Sequence, residues 1–283
     1  MASVPEAKPY GTPSAAPVAP SRVTVTTLAK MAAEGQRIAM LTAYDASFAA
    51  LAERAGVDVL LVGDSLGMVV QGHRTTIPVT LPEMLYHTRC VVAGCARPLV
   101  IADLPFGAFQ GPREDAYRAS VAALKAGAQM VKLEGGAWIA PTVEYLTLRG
   151  VPVCGHVGLT PQSVNVLGGF RVQGRTDAAA DALVADAQAL ARAGASLVVV
   201  ECVPRDLGAR VAREAGVPVI GIGAGPDCQG QVLVVYDALG LQPGKPARFV
   251  RNFLPGHDSV EAALAAYVRA VKDGSFPAPE HCF

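Results

Sequence analysis

The sequence carries no excess charge of either sign: lysine and arginine number 24, aspartate and glutamate 24, so the formal net charge is zero. Without surplus positive charge there is no field to gather phosphates, which argues against a nucleic-acid binder or a basic protein of the membrane surface. No run of about 20 uninterrupted apolar residues occurs, so no transmembrane helix is expected. None of the six cysteines (Cys90, Cys95, Cys154, Cys202, Cys228 and Cys282) belongs to a C-x-x-C pair, and their spacing is too loose for a zinc or disulfide framework. Several lie inside apolar runs, where a reduced thiol behaves as a small hydrophobe; the expectation is a reducing, cytoplasmic compartment. The N-terminus lacks the basic start and continuous apolar stretch of a secretory signal, and has too little arginine for a transit peptide. Residues 1–22, rich in alanine and proline, read as a disordered tail.

What is present is a long apolar chain of 283 residues, 51% hydrophobic. That length can bury a large core and is common for a single α/β barrel. After residue 22 no linker divides the chain, so residues 23–283 read as one domain. A short helix capped by Thr26 or Thr27 opens it, and strands are expected at 37–43, 57–62, 99–103, 129–134, 152–157, 197–201 and 217–222, with a short eighth at 231–236. Helices are expected between them at 46–55, 82–95, 113–126, 138–148, 178–193 and 206–215, and a terminal one at 260–271. The pair Ala-Gly recurs at 55–56, 126–127, 193–194 and 215–216, as a repeated helix-to-strand turn would require. The expected fold class is α/β, a (β/α)8 TIM barrel with an extra N-terminal helix. An open doubly wound sheet is disfavoured, because no G-x-G-x-x-G follows the first strand.

In such a barrel the active site lies at the carboxyl ends of the strands. Those ends carry Asp64, Asp103, Lys132 with Glu134, His156 and Glu201 in otherwise apolar text. Lys132 and Glu134 are two apart and so face the same side. Each residue has an ordinary alternative: Asp64 or Asp103 a helix cap, Lys132 with Glu134 an internal ion pair, His156 a hydrogen-bonded core histidine, Glu201 a satisfied structural carboxylate. Together, however, three carboxylates on adjacent strands make an all-oxygen site suited to Mg²⁺. The glycine clusters at 135–136, 168–169 and 221–225 read either as cradles for a phosphate or a planar ligand or as tight turns after a strand. The segment 158–174 is long for a βα loop and reads as a lid or substrate loop. Leu66 to Val70, after Gly63-Asp64-Ser65, reads as a packed loop rather than a helix.

The text Leu-Val-Gly-Asp-Ser-Leu-Gly-Met-Val-Val-Gln-Gly-His at 61–73, Ala-Asp-Leu-Pro-Phe at 102–106 and Val-Lys-Leu-Glu-Gly-Gly at 131–136 resembles the ketopantoate (3-methyl-2-oxobutanoate) hydroxymethyltransferase family. So do Cys-Gly-His-Val-Gly-Leu-Thr-Pro-Gln-Ser-Val-Asn at 154–165, Val-Gln-Gly-Arg at 172–175, Glu-Cys-Val-Pro at 201–204 and Ile-Gly-Ile-Gly-Ala-Gly at 220–225. The matches run in family order over roughly residues 23 to 283. The resemblance implies a (β/α)8 barrel that uses Mg²⁺ and 5,10-methylenetetrahydrofolate to hydroxymethylate 3-methyl-2-oxobutanoate, through a metal-stabilised enolate, in pantothenate and coenzyme A biosynthesis. It implies metal ligands at Asp64, Asp103 and Glu134, keto-acid contacts at Asp64, Ser65, Asp103 and Lys132, and a base at Glu201. It also implies a homo-oligomer, commonly a decamer, with small-molecule partners and neither nucleic acid nor membrane. Two other readings stand beside it. One is a Mg²⁺-dependent lyase or mutase of the phosphoenolpyruvate type; the other is a catalytically silent scaffold.

Overall fold

Strand and helix alternate from one end of the chain to the other in the computed structural model, which describes residues 21–242 and 244–283. Of the expected tail, residues 1–20 lie outside the described residues, whereas Arg22 is anchored by its Nε to Ala96 O at 2.9 Å. In chain order the elements are α1 (Val25–Ala33), β1 (Ile38–Thr42), α2 (Ala46–Arg54), β2 (Val59–Val62), α3 (Leu66–Val69) and α4 (Leu81–Gly94). Then come β3 (Leu99–Asp103), α5 (Arg113–Lys125), β4 (Met130–Glu134), a 3₁₀ turn (Ala137–Ile139), α6 (Ala140–Thr147) and β5 (Val153–Gly158). A second 3₁₀ turn (Pro161–Ser163) leads to α7 (Val164–Leu167), α8 (Asp177–Arg192), β6 (Leu197–Glu201), α9 (Arg205–Glu214) and β7 (Val219–Ile222). The chain closes with β8 (Gly230–Leu233), α10 (Val235–Ala238), α11 (Val260–Asp273) and a 3₁₀ turn (Pro279–His281).

The eight strands run parallel in sequence order and β8 pairs with β1, so the sheet is a closed barrel. Along each strand the side chains alternate. One phase, such as Leu60, Val100, Val131 and Val198, packs outward under the helices. The other, such as Met40, Leu61, Ile101, Met130 and Val199, fills the barrel. The Ala-Gly turns are real: Gly56, Gly127, Gly194 and Gly216 have φ of 89°, 109°, 97° and 82°. That left-handed conformation ends a helix, and glycine adopts it without Cβ strain.

α1 closes the amino-terminal end of the barrel. Val23 and Leu28 are buried among the first inward residues of the strands, Ile38, Val59, Leu99 and Leu197. Thr24, not Thr26 or Thr27, caps α1, its hydroxyl accepting from Thr27 N at 3.2 Å. Two further expectations are corrected. Leu66–Val69 is a turn of helix rather than a loop, too short for its sequence to show a helical period. β8 ends at Leu233 instead of running to Tyr236, because Thr42 Oγ1 takes Val235 N at 2.9 Å and the chain turns into α10.

Candidate active site

From floor to mouth, the inward phase changes from apolar to ionisable: Leu99, Ile101, then Asp103 on β3; Met130, then Lys132 and Glu134 on β4; Leu197, Val199, then Glu201 on β6. Register sets the neighbours, pairing Asp103 with Lys132 and Glu134 with His156. Asp64 follows the end of β2, so its carboxylate reaches the same space from the adjacent strand. Asp64, Asp103, Lys132, Glu134 and His156 are all buried, and Glu201 retains 16% side-chain exposure. They line a cavity of about 1140 Å³ at the barrel mouth, whose lining also includes the apolar Met68, Val70, Phe170, Leu241, Phe249 and Phe283 and the exposed cations Arg171 and Lys245.

Asp64, Asp103 and Glu134 each offer an oxygen within 4.8 Å of the others. Lys132 Nζ donates to both Asp103 oxygens, at 3.0 and 2.9 Å, and to Glu134 Oε1 at 3.4 Å. Neither aspartate caps a helix; that task falls to Asp45, which accepts from Phe48 N at 2.9 Å. The expected Lys132–Glu134 ion pair exists, within a larger charged cluster. Burial and the neighbouring Asp103 and Glu134 push the Asp64 carboxyl well above its usual range. Burial also raises Asp103, with Lys132 opposing. Glu134 goes the other way: burial favours its neutral form, but Lys132 and His156 hold it down at about 2. Lys132, despite burial, is raised by Asp103, Glu134 and Asp64 and stays charged. Lys132 and the nearby His156 do not offset the buried carboxylates fully, and Asp64 is the one pushed well above its range. Hard oxygen donors short of positive charge fit a divalent cation such as Mg²⁺.

His156 lies between two carboxylates, with Nδ1 3.3 Å from Glu134 Oε1 and Nε2 3.3 Å from Glu201 Oε2. Neither contact is aligned as a hydrogen bond, so these are close charge pairs. Burial and Lys132 disfavour the imidazolium, yet the flanking glutamates outweigh them and take His156 up to about 9. Protonated at neutral pH, it ties the carboxylate cluster to Glu201. Cys202, next along, is the only non-glycine among the described residues with φ in the left-handed region, at 48°. Its N–H donates to Ile222 O at 2.8 Å and its carbonyl accepts from Gln173 N at 2.9 Å, fixing the backbone beside Glu201. Sequence reasoning missed three neighbours. Tyr44 shares a hydrogen bond of 2.9 Å with Ser65 Oγ and stacks on Tyr236, with 5.8 Å between ring centroids. Gln162 bonds Asp64, and Asp237 lines the cavity.

The segment 158–174 lines the cavity through Leu159, Pro161, Phe170, Arg171 and Val172, as a substrate loop would. None of the glycines of the three clusters lines it, although Ile222 of the third does; Gly135, Gly168, Gly169, Gly223 and Gly225 have positive φ, as tight turns require. All six cysteines are free thiols.

The chain matches the family described as ketopantoate hydroxymethyltransferase over residues 22–279. It is 61% identical to the 3-methyl-2-oxobutanoate hydroxymethyltransferase of Azoarcus sp. (strain BH72) over 262 residues, 92% of this chain and 97% of that one. It is 60% identical to the protein of the same name from Ralstonia nicotianae over 261 residues, 92% and 95% of the two chains. Among solved structures it resembles phosphonopyruvate hydrolase in complex with oxalate and Mg²⁺, with a TM-score of 0.57 and 16% identity over 91% of this chain and 93% of that one. It also resembles 2,3-dimethylmalate lyase, with a TM-score of 0.57 and 18% identity over 78% and 84%. At such low identity these two likenesses concern the fold alone.

Proposed function

The chain belongs to the ketopantoate hydroxymethyltransferase family, and on that premise we propose that it transfers a one-carbon unit from 5,10-methylenetetrahydrofolate to 3-methyl-2-oxobutanoate, giving 2-dehydropantoate. Residues 23–283 act as one catalytic domain in this reading, as a cytoplasmic homo-oligomer, a decamer in the family's usual form, serving pantothenate and coenzyme A biosynthesis.

Asp64, Asp103 and Glu134 would hold Mg²⁺, which would supply Lewis acidity toward the 2-oxo acid. Lys132 adds fixed positive charge beside that acid without needing to move, and its raised pKa keeps it from giving up its proton. Asp64 and Asp103 line the keto-acid site with it. Ser65, held by Tyr44, presents its hydroxyl to the substrate. Glu201 takes the proton from C3. The carbon left with the electron pair attacks the folate's methylene carbon as one of its two C–N bonds breaks, and water then displaces the second nitrogen to leave the hydroxyl, the protons released by C3 and by water ending on the two nitrogens of tetrahydrofolate. The rings of Phe170, Phe249 and Phe283 in the cavity lining suit a planar aromatic ring system such as a pterin.

The observation that carries the reading is the coupling of Glu201 to the carboxylate cluster through His156, in one cavity. The test is product formation from both substrates with Mg²⁺, and exchange of the C3 proton for deuterium without folate. Glu201→Gln should fold normally and lose about 100- to 10,000-fold in both. A well-folded parent protein that makes no product sinks the proposal, and undiminished exchange in Glu201→Gln removes Glu201 as the base.

A further inference from the structure

Gln162 is a buried glutamine in the 3₁₀ turn after β5, and each polar group of its side chain has a partner. Nε2 donates to Asp64 Oδ2 at 3.0 Å and to the Leu104 carbonyl at 2.9 Å. Oε1 accepts from Gln110 Nε2 at 2.9 Å. Its backbone N–H donates to Glu134 Oε2 at 2.9 Å. One residue therefore holds one oxygen of Asp64 and one of Glu134, from strands that are not neighbours.

The orientation of this carboxamide is dictated from a distance. Gly107 N–H donates to Gln110 Oε1 at 2.7 Å, which turns the Gln110 amide nitrogen toward Gln162. A backbone N–H cannot accept, so Gln110 cannot flip without setting donor against donor. Gln162 in turn cannot flip without aiming Oε1 at the Asp64 carboxylate and the Leu104 carbonyl. The direction of every bond in this chain follows from the backbone amide at its far end.

The consequence concerns the cation. With Asp64 Oδ2 and Glu134 Oε2 engaged by Gln162, each carboxylate has its other oxygen left for a cation, that of Glu134 shared with Lys132 and His156, while using both would cost it the hydrogen bond to Gln162. Bidentate carboxylates suit Ca²⁺, which takes 6–8 oxygens; Mg²⁺ is smaller and takes single oxygens in an octahedron. We propose that Gln162, oriented by Gln110, is a positioning residue that pins one oxygen each of Asp64 and Glu134 and so makes the site prefer Mg²⁺ to Ca²⁺. This rests on the assignment of Asp64, Asp103 and Glu134 as ligands.

The test is Mn²⁺ binding followed by electron paramagnetic resonance, with displacement by Mg²⁺ and by Ca²⁺, on the full-length protein without substrates. Gln162→Leu should weaken Mn²⁺ binding by about 10- to 100-fold, the usual effect of losing a group that orients a ligand. It should also narrow the Mg²⁺ over Ca²⁺ preference. Gln110→Glu, which touches no ligand, keeps an acceptor for Gly107 but sets an oxygen against Gln162 Oε1. It should shift the preference in the same direction, by less, and it keeps the idea testable if Gln162→Leu does not fold. Asp103→Asn separates the two levels of the claim. If Asp103→Asn abolishes Mn²⁺ binding while Gln162→Leu and Gln110→Glu leave affinity and preference at parental values, the role of Gln162 is refuted and the ligand assignment survives. If Asp103→Asn binds Mn²⁺ like the parent, the ligand assignment falls and this inference with it.

Discussion

Lys132→Met removes one cation from the site while keeping most of the volume of the lysine stem. The lost ammonium lies 2.9 Å from Asp103 Oδ2 and 3.4 Å from Glu134 Oε1, and its side chain is 4% exposed. At an effective dielectric near 20, two unit charges about 3 Å apart attract by about 5 kcal/mol. Breaking one side of a buried pair costs about 3–5 kcal/mol in practice, because the partner charge remains buried. At about 2–4 °C per kcal/mol for a domain of this class, metal-free Lys132→Met should unfold about 6–20 °C below the parent at neutral pH. The assay is thermal unfolding by circular dichroism with chelator present, repeated with Mg²⁺ added. The variant's site is one unit more negative, so Mg²⁺ should recover more of its unfolding temperature than it adds to the parent's. The deficit should also depend on pH. Glu134 is held down to about 2 from its ordinary 4.5, so its charged form stabilises the parent above 4.5, and that contribution disappears as pH falls toward 2. The gap between parent and variant should narrow across that window. A metal-free variant that unfolds within about 2 °C of the parent at pH 7 would refute the claim that Lys132 holds these carboxylates together.

Two further predictions concern stability. Asp237 is raised to about 6 from 3.8, by burial and then by the charge of Glu201, so its ionisation opposes folding at neutral pH. Asp237→Asn should be more stable than the parent by about 1–2 kcal/mol above pH 6, with the gain vanishing as pH falls from 6 to 3.8; equal urea midpoints at pH 7.5 would contradict this. Gly94 ends α4 where that helix crosses α2, and a Cβ built there would overlap the Ala46 backbone. Gly94→Ala should therefore destabilise by about 1–3 kcal/mol despite alanine's better helix propensity, and chemical denaturation showing a gain would mean the helices can part at no cost.

The barrel was legible in the sequence because its strands are buried on both faces. Such strands read as unbroken branched apolar runs, and the run stops where the inward phase meets an ionisable residue at Asp103, Glu134 or Glu201. The same phase rule carried the candidate site, since Lys132 and Glu134 two apart on one strand must share a side. Partnerships across the barrel left no such trace. Gln162 sits 98 residues from Asp64, and nothing in the text Thr-Pro-Gln-Ser distinguishes a glutamine that turns inward from one in water. The place of His156 between two glutamates depends on a register that only the folded sheet fixes. Short elements were lost for a different reason: four residues, as in Leu66–Val69, do not complete enough turns to reveal a period. The end of β8 was hidden because Val232 to Tyr236 has strand-like residues throughout, and a hydroxyl on β1 decides where the ladder stops.

The helix that seals the amino-terminal end of the barrel has a bearing on traffic. With Val23 and Leu28 filling the floor, the interior among the described residues is a vessel open at its carboxyl-terminal end, where Phe170 and Phe283 line the way to Asp64. Molecules in such a vessel queue. The one nearest the carboxylates arrives first and departs last, and the one at the rim must leave before it. Depth alone would then order binding and release in a barrel whose described floor is closed by α1.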